Sequence, residues 1–352
     1  PNSSASMAPF MRALAPNFTA IALDTPSYGL SDPLAVEEPE IADLGQALAH
    51  TLDALGIERC GLLASHTGAS IAIEFVRANP ARTTLAVFDG YPAYTEQRRA
   101  DMLEFYLDPY VPVWDGSHLL HTWMKFREQF MFWPMYRKHK ENRANAVPRD
   151  ALATQDGVLQ RLIAGEDYDV AYSAVFRYDA IAAAHDVRAP VCFAAREGDS
   201  LIHALDLLGE LPDGCWTARM PRDLEAAAEA YADIFVERRV DGVTPPAPDA
   251  APIAGRVSRS YIGIGGSQLM VYRAGGGKAR ALVMVPHAPG GADMLEPLMM
   301  GLAETRPVIA FDLPGNGDSD AVGSAGPSIE GYTDALAKLI DALDLGSFDL
   351  YG

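Results

Sequence analysis

Leu62-Leu63-Ala64-Ser65-His66-Thr67-Gly68-Ala69-Ser70 is the stretch whose reading decides the fold. The apolar run from Cys60 to Ala64 stops at small residues, and a helical pattern with Ile71, Ile73, Phe75 and Val76 follows at once. Strand, tight turn and helix succeed one another with no loop between them. A turn this sharp presses the side chains two before and two after its point against neighbouring backbone. Small residues are expected there, and Ala64 and Gly68 fill both places. His66 stands on the point, and histidine is among the non-glycine residues that accept positive φ.

Outward from this elbow, strands and helices alternate. On the N-terminal side the pattern predicts a helix carrying Met7, Phe10, Met11 and Leu14, a buried strand over Phe18–Leu23 and an amphipathic helix over 41–55. On the C-terminal side it predicts strands at Leu85–Phe88, Val191–Ala195 and Cys215–Met220, and a helix over 224–238. Residues 93–186 interrupt the alternation with helical, aromatic-rich sequence that reads as an inserted cap. Alternation of this kind implies a mostly parallel sheet flanked by helices.

A repeat organises the whole chain. Residues 1–64 and 289–352 align without a gap at an offset of 288, and Asp24-x-Pro26-x-x-Gly29-x-Ser31-Asp32 matches Asp312-x-Pro314-x-x-Gly317-x-Ser319-Asp320. That period is the length of a domain, not of a solenoid unit. The reading is a tandem duplication: a first copy over 1–239 lacking its first strands, a Pro/Ala-rich linker over 240–254, and the N-terminal part of a second copy over 255–352. The second copy opens with a hairpin across Gly265-Gly266 and reaches Gly352 before its own elbow residue.

Composition excludes several classes. The formal charge of −19 repels phosphates, so nucleic acid is not expected as a partner. No run of about 18 apolar residues exists, so no membrane partner is expected. Cys60, Cys192 and Cys215 do not form a disulfide framework and fit a reducing, cytoplasmic setting. The glycines at 275–277 and 290–291 do not open a helix after a strand in the Gly-x-Gly-x-x-Gly pattern, so no nucleotide cofactor is expected.

The elbow, the twice-present Asp-x-Pro-x-x-Gly-x-Ser-Asp turn and the helical insertion resemble the α/β-hydrolase superfamily, in particular its capped members (epoxide hydrolases, haloalkane dehalogenases and esterases). The resemblance covers nearly all of the chain. It implies that His66 occupies the nucleophile seat, where serine, aspartate or cysteine is usual, and that the Thr67 N–H faces an oxyanion. Asp199 takes the acid seat, with Asp89 as the alternative acid. In the second copy His287-Ala288 takes the place of the His-Gly oxyanion loop, with the Ala288 backbone as its donor. The departure is large: no histidine lies between His203 and His287, so the general base expected near Met220–Asp223 is absent.

Three functions follow from these residues. One is hydrolysis of a small, largely apolar substrate by a His66–Asp199 dyad acting through water. Another is lyase-type chemistry, independent of any cofactor, with His66 as the base. In the third, the first copy is inactive and supports an active second one. The substrate pocket is expected between core and cap, near Ser65, His118, His121 and Trp123. His118 and His121 share a helix face, but no third ligand accompanies them at motif spacing, so no metal is expected.

Overall fold

A computed structural model of the chain describes residues 2–144, 150–240, 242, 244–245, 253–321 and 328–352. The chain divides into two compact units, residues 1–246 and 247–352. The linker expected at 240–254 falls largely outside the described residues.

The first unit contains α1 (Ala8–Leu14), α2 (Ile41–Ala54), β1 (Cys60–Ser65), α3 (Thr67–Ala78), β2 (Thr83–Asp89), α4 (Glu96–Phe105), α5 (Ser117–Glu128), α6 (Ala151–Ala164), α7 (Asp167–Arg177), α8 (Ala180–His185), β3 (Val191–Arg196), β4 (Cys215–Met220) and α9 (Leu224–Glu237). Its four strands are all parallel, in the order β1-β2-β3-β4. β2 and β3 are central and almost wholly buried, which is why both read as unbroken apolar runs rather than as alternation. Alternate residues serve opposite faces. Leu85, Val87, Cys192 and Ala194 pack under α1 and α9, against Phe10, Tyr231 and Phe235. Ala86, Phe88 and Phe193 pack on the other side, against Ala69, Ile73 and Val76 of α3 and Ala180 and Ala184 of α8. Full burial of side chains such as Phe88 and Phe193 stabilises the fold by about 1.5–3 kcal/mol each.

Sequence fixes where these helices begin. Glu40 and Asp43 form a capping box at α2, and the Asp150, Asp179 and Asp223 carboxylates accept backbone N–H groups at the starts of α6, α8 and α9. Between β2 and β3 the chain is helical, as the sequence implies. This segment is tied to the Asp24 turn through Tyr28, whose hydroxyl donates to the Tyr168 carbonyl at 2.8 Å and whose ring meets that of Tyr168 edge-on.

The second unit comprises β5 (Ser258–Gly263), β6 (Gln268–Ala274), β7 (Ala281–Met284), α10 (Glu296–Ala303), β8 (Val308–Phe311), α11 (Ile329–Ala342) and β9 (Phe348–Tyr351), with strand order β5-β6-β8-β7-β9. β5 and β6 form the hairpin across Gly265-Gly266. The matching elements recur at the sequence offset. α2 and α11 have the same bounds after 288 residues, and the two Asp turns share their hydrogen bonds. Asp24 accepts from the N–H groups of Ser4 and Leu30, Asp312 from those of Ala292 and Asp318, and Ser31 and Ser319 each donate to the preceding aspartate's carbonyl.

One predicted strand does not form. Phe18–Leu23 is irregular, with Ile21 and Leu23 exposed, whereas its counterpart β8 is buried. A strand requires partners for its backbone groups. β8 lies between β6 and β7, and no described segment of the first unit flanks Phe18–Leu23 in that way.

Candidate active site

His66 has φ 51° and ψ −118°, a conformation that a non-glycine side chain holds only at a cost on the order of 1–3 kcal/mol. Three bonds hold it there. Its N–H donates to the Asp89 carbonyl at 2.9 Å, its own carbonyl accepts from Ala69 N–H at 2.9 Å, and Nε2 lies 2.9 Å from Asp199 Oδ2. Asp199 reaches the imidazole because β3 ends at Arg196 and the Gly198 turn (φ 87°) swings the chain back. The other carboxylate oxygen, Oδ1, accepts from Leu201 N–H at 2.7 Å.

The space for the ring comes from a residue that the sequence reading passed over. A Cβ at Gly90 (φ 68°) would stand 2.6 Å from His66 Cδ2 and 2.7 Å from Nε2. The expected crowding at Gly68 is absent: a Cβ there would meet nothing nearer than the Ala64 Cβ at 3.9 Å. The tight place is therefore the end of the neighbouring strand, whose Asp-Gly turn is the available signal.

Asp89, the alternative acid, does not turn its carboxylate to His66. It is completely buried, accepting from Tyr231 OH at 2.8 Å and Arg196 Nε at 3.1 Å. A buried carboxylate needs such compensation. Tyr231→Phe is expected to lower stability by about 1.5–3 kcal/mol, the range for a hydrogen bond to a charged group, read as a shift in urea midpoint at unchanged slope. Arg196 also extends Nη2 to within 3.8 Å of Asp199 Oδ2.

The two partners of this hydrogen bond shift in opposite directions. Burial opposes protonation of His66, but the charge and hydrogen bond of Asp199 outweigh it and raise the imidazole above its ordinary 6.5. Burial pushes Asp199 up, yet the His66 charge and hydrogen bond, the Leu201 N–H and Arg196 bring it down to about 2 from 3.8. The raised His66 stabilises the fold fully below pH 6.5, and this contribution fades as pH rises through its folded-state value. The depressed Asp199 contributes fully above 3.8, and its contribution is lost as pH falls towards 2. Urea midpoints measured across pH are expected to fall off on both limbs for the native chain; His66→Ala should lose the alkaline limb and weaken the acid one, where the Leu201 N–H and Arg196 still favour the Asp199 carboxylate.

Ser65 and His66 line a cleft of about 1830 Å³ together with Phe10, Leu14, Leu63 and Arg196. His118, His121 and Trp123 are elsewhere. α5 buries Thr122 and Phe126, leaving His118 and His121 on its outer face around a separate cavity of about 550 Å³. His118 Nδ1 accepts from Val113 N–H, and His121 pairs with Asp108 at 2.6 Å. Trp123 packs with Tyr28, Phe126 and Val158. The Thr67 N–H opens α3 and has no intrahelical acceptor to reach. Ala288 belongs to the second unit, before the cis Ala288–Pro289 bond.

No protein-family model matches the chain, and no curated protein matches it significantly. Solved structures do. An alpha/beta hydrolase from a Medee basin deep-sea metagenome library is 14% identical with TM-score 0.47, covering 68% of this chain and 89% of its own. A bromoperoxidase from Bacillus anthracis is 14% identical with TM-score 0.48, over 68% and 88%. An epoxide hydrolase from Vigna radiata is 21% identical with TM-score 0.25, over 27% and 29%. The four parallel strands with helices packed on both faces give the first unit a parallel α/β fold. No helix among the described residues is long and apolar enough to cross a membrane.

Proposed function

We propose that the first unit is a hydrolase acting on a small substrate, with His66 and Asp199 as a general-base dyad. The observation that carries this reading is the strained His66 holding Nε2 on Asp199 at 2.9 Å. That bond fixes the tautomer: Nε2–H donates to the carboxylate, and Nδ1 keeps its lone pair, with no hydrogen-bond partner among the described residues. Nδ1 then takes a proton from water as the water oxygen attacks an acyl carbon. The oxyanion gathers the Thr67 N–H, and the imidazolium, stabilised by Asp199, returns the proton to the leaving oxygen. No acyl-enzyme forms. We read the two units as tandem copies, and the helical segment over 93–186 as a cap.

The test is turnover of 4-nitrophenyl acetate at neutral pH, with intact-mass measurement during the reaction. Turnover without a burst and without an added acetyl mass is expected. A burst with a stable acetyl adduct on a serine or threonine would replace the dyad with nucleophilic catalysis. A second reading is favoured by His66 standing on the elbow's point without an oxygen nucleophile. In it, the same Nδ1 removes a proton from carbon and the product leaves by elimination. A chain that ignores esters yet exchanges a substrate's α-proton in deuterium oxide only when His66 is present supports that reading.

A further inference from the structure

We infer that Arg196 is an anchor for a carboxylate on the substrate, so that the site takes small carboxylic acids and their derivatives rather than wholly apolar molecules. This rests on His66 marking the reacting position. Arg196 is the last residue of β3, lines the same cleft as His66, and keeps a quarter of its side chain exposed (25%). A guanidinium carries five N–H donors in a planar fork. One of them, on Nε, is committed to Asp89, and Nη2 leans toward Asp199 at 3.8 Å, beyond hydrogen-bond length. Nη1 has no partner among the described residues.

The charges around this fork leave room for an anion. Asp89 is satisfied by Arg196 Nε and Tyr231 OH, and Asp199 by His66 and the Leu201 N–H. Asp24, also on the cleft, is occupied by the N–H groups of Ser4 and Leu30. With the neutral imidazole that the base chemistry needs, Asp89, Asp199 and Arg196 sum to −1, and each carboxylate is already turned to its own donors. An incoming carboxylate then meets open guanidinium donors without an unpaired like charge. A fork matched to two carboxylate oxygens fixes orientation as well as affinity, which places the rest of a short substrate at a set distance from the imidazole.

The experiment compares butyrate with its neutral isostere butyramide on the full chain. Binding is followed through the His66 ring resonances and the thermal midpoint, neither of which needs turnover. Butyrate is expected to bind about tenfold or more tightly than butyramide, as a charge-assisted hydrogen bond implies. Arg196→Lys keeps the positive charge that Asp89 needs and loses the fork. It is expected to fold and to bring the two ligands to within about threefold. Equal binding of both ligands by the native chain, or an undiminished preference in Arg196→Lys, overturns the anchor whatever the catalytic outcome. Butyrate selectivity that depends on Arg196, in a chain that turns over no ester, keeps the anchor and removes the hydrolytic reading instead.

Discussion

His66→Ala is expected to lower kcat/KM for ester hydrolysis by about 10²–10⁴-fold, the range over which a positioned general base acts. The effect should lie in kcat, because the imidazole meets the proton only as the water attacks. Asp199→Asn sharpens the assignment. It keeps the size of the side chain while removing the charge that raises the His66 pKa. The native chain needs neutral imidazole, so its activity should rise with pH along a limb centred above 6.5. In Asp199→Asn that limb should move down towards the ordinary value, with a lower plateau, because the imidazolium formed during reaction loses its counter-charge. Activity that survives His66→Ala would place the chemistry elsewhere and make the first unit a supporting copy.

Much of the fold was legible because parallel sheets bury their strands on both faces. Leu85–Phe88 and Val191–Ala195 are apolar without interruption, and both are central strands. The elbow was legible from chain economy alone, since a strand that meets a helix without a loop has to turn on one residue. The Phe18–Leu23 expectation failed for a reason local sequence does not carry: a strand is made by its neighbours. Site residues divided similarly. Asp199 is singled out only by the resemblance, since its Gly198-Asp199 turn is ordinary strand-end sequence, and the hydrogen bonds of Asp89 to Arg196 and Tyr231 join residues 107 and 142 positions apart. The aromatic-rich stretch around His118 and His121 suits a pocket wall by composition alone. The side of α5 that turns inward is set instead by Thr122 and Phe126. Where pairing is local, spacing reveals it; where it crosses the sheet, only the fold does.

Gly90→Ala is expected to lower kcat/KM by about 100-fold, although residue 90 offers no chemistry of its own. Its backbone holds φ 68°, where an alanine costs about 1–2 kcal/mol. The larger effect is steric. A methyl carbon 2.6 Å from His66 Cδ2 and 3.5 Å from Asp199 Oδ2 cannot share the space with the ring. The imidazole has to swing off the carboxylate, and a displacement of about 1 Å at a reacting group costs on the order of 10²-fold. Since the pairing with Asp199 also raises the His66 pKa, the pH limb should drop together with the rate. Gly68→Ala is the matched control, with ordinary contact at 3.9 Å and an expected change of less than about threefold. The two substitutions add the same methyl group on either side of one histidine. If Gly68→Ala were the damaging one, the constraint on His66 would come from the flanks of its own turn. If Gly90→Ala is, the constraint comes from the neighbouring strand, and the working geometry of the elbow is a property of the sheet.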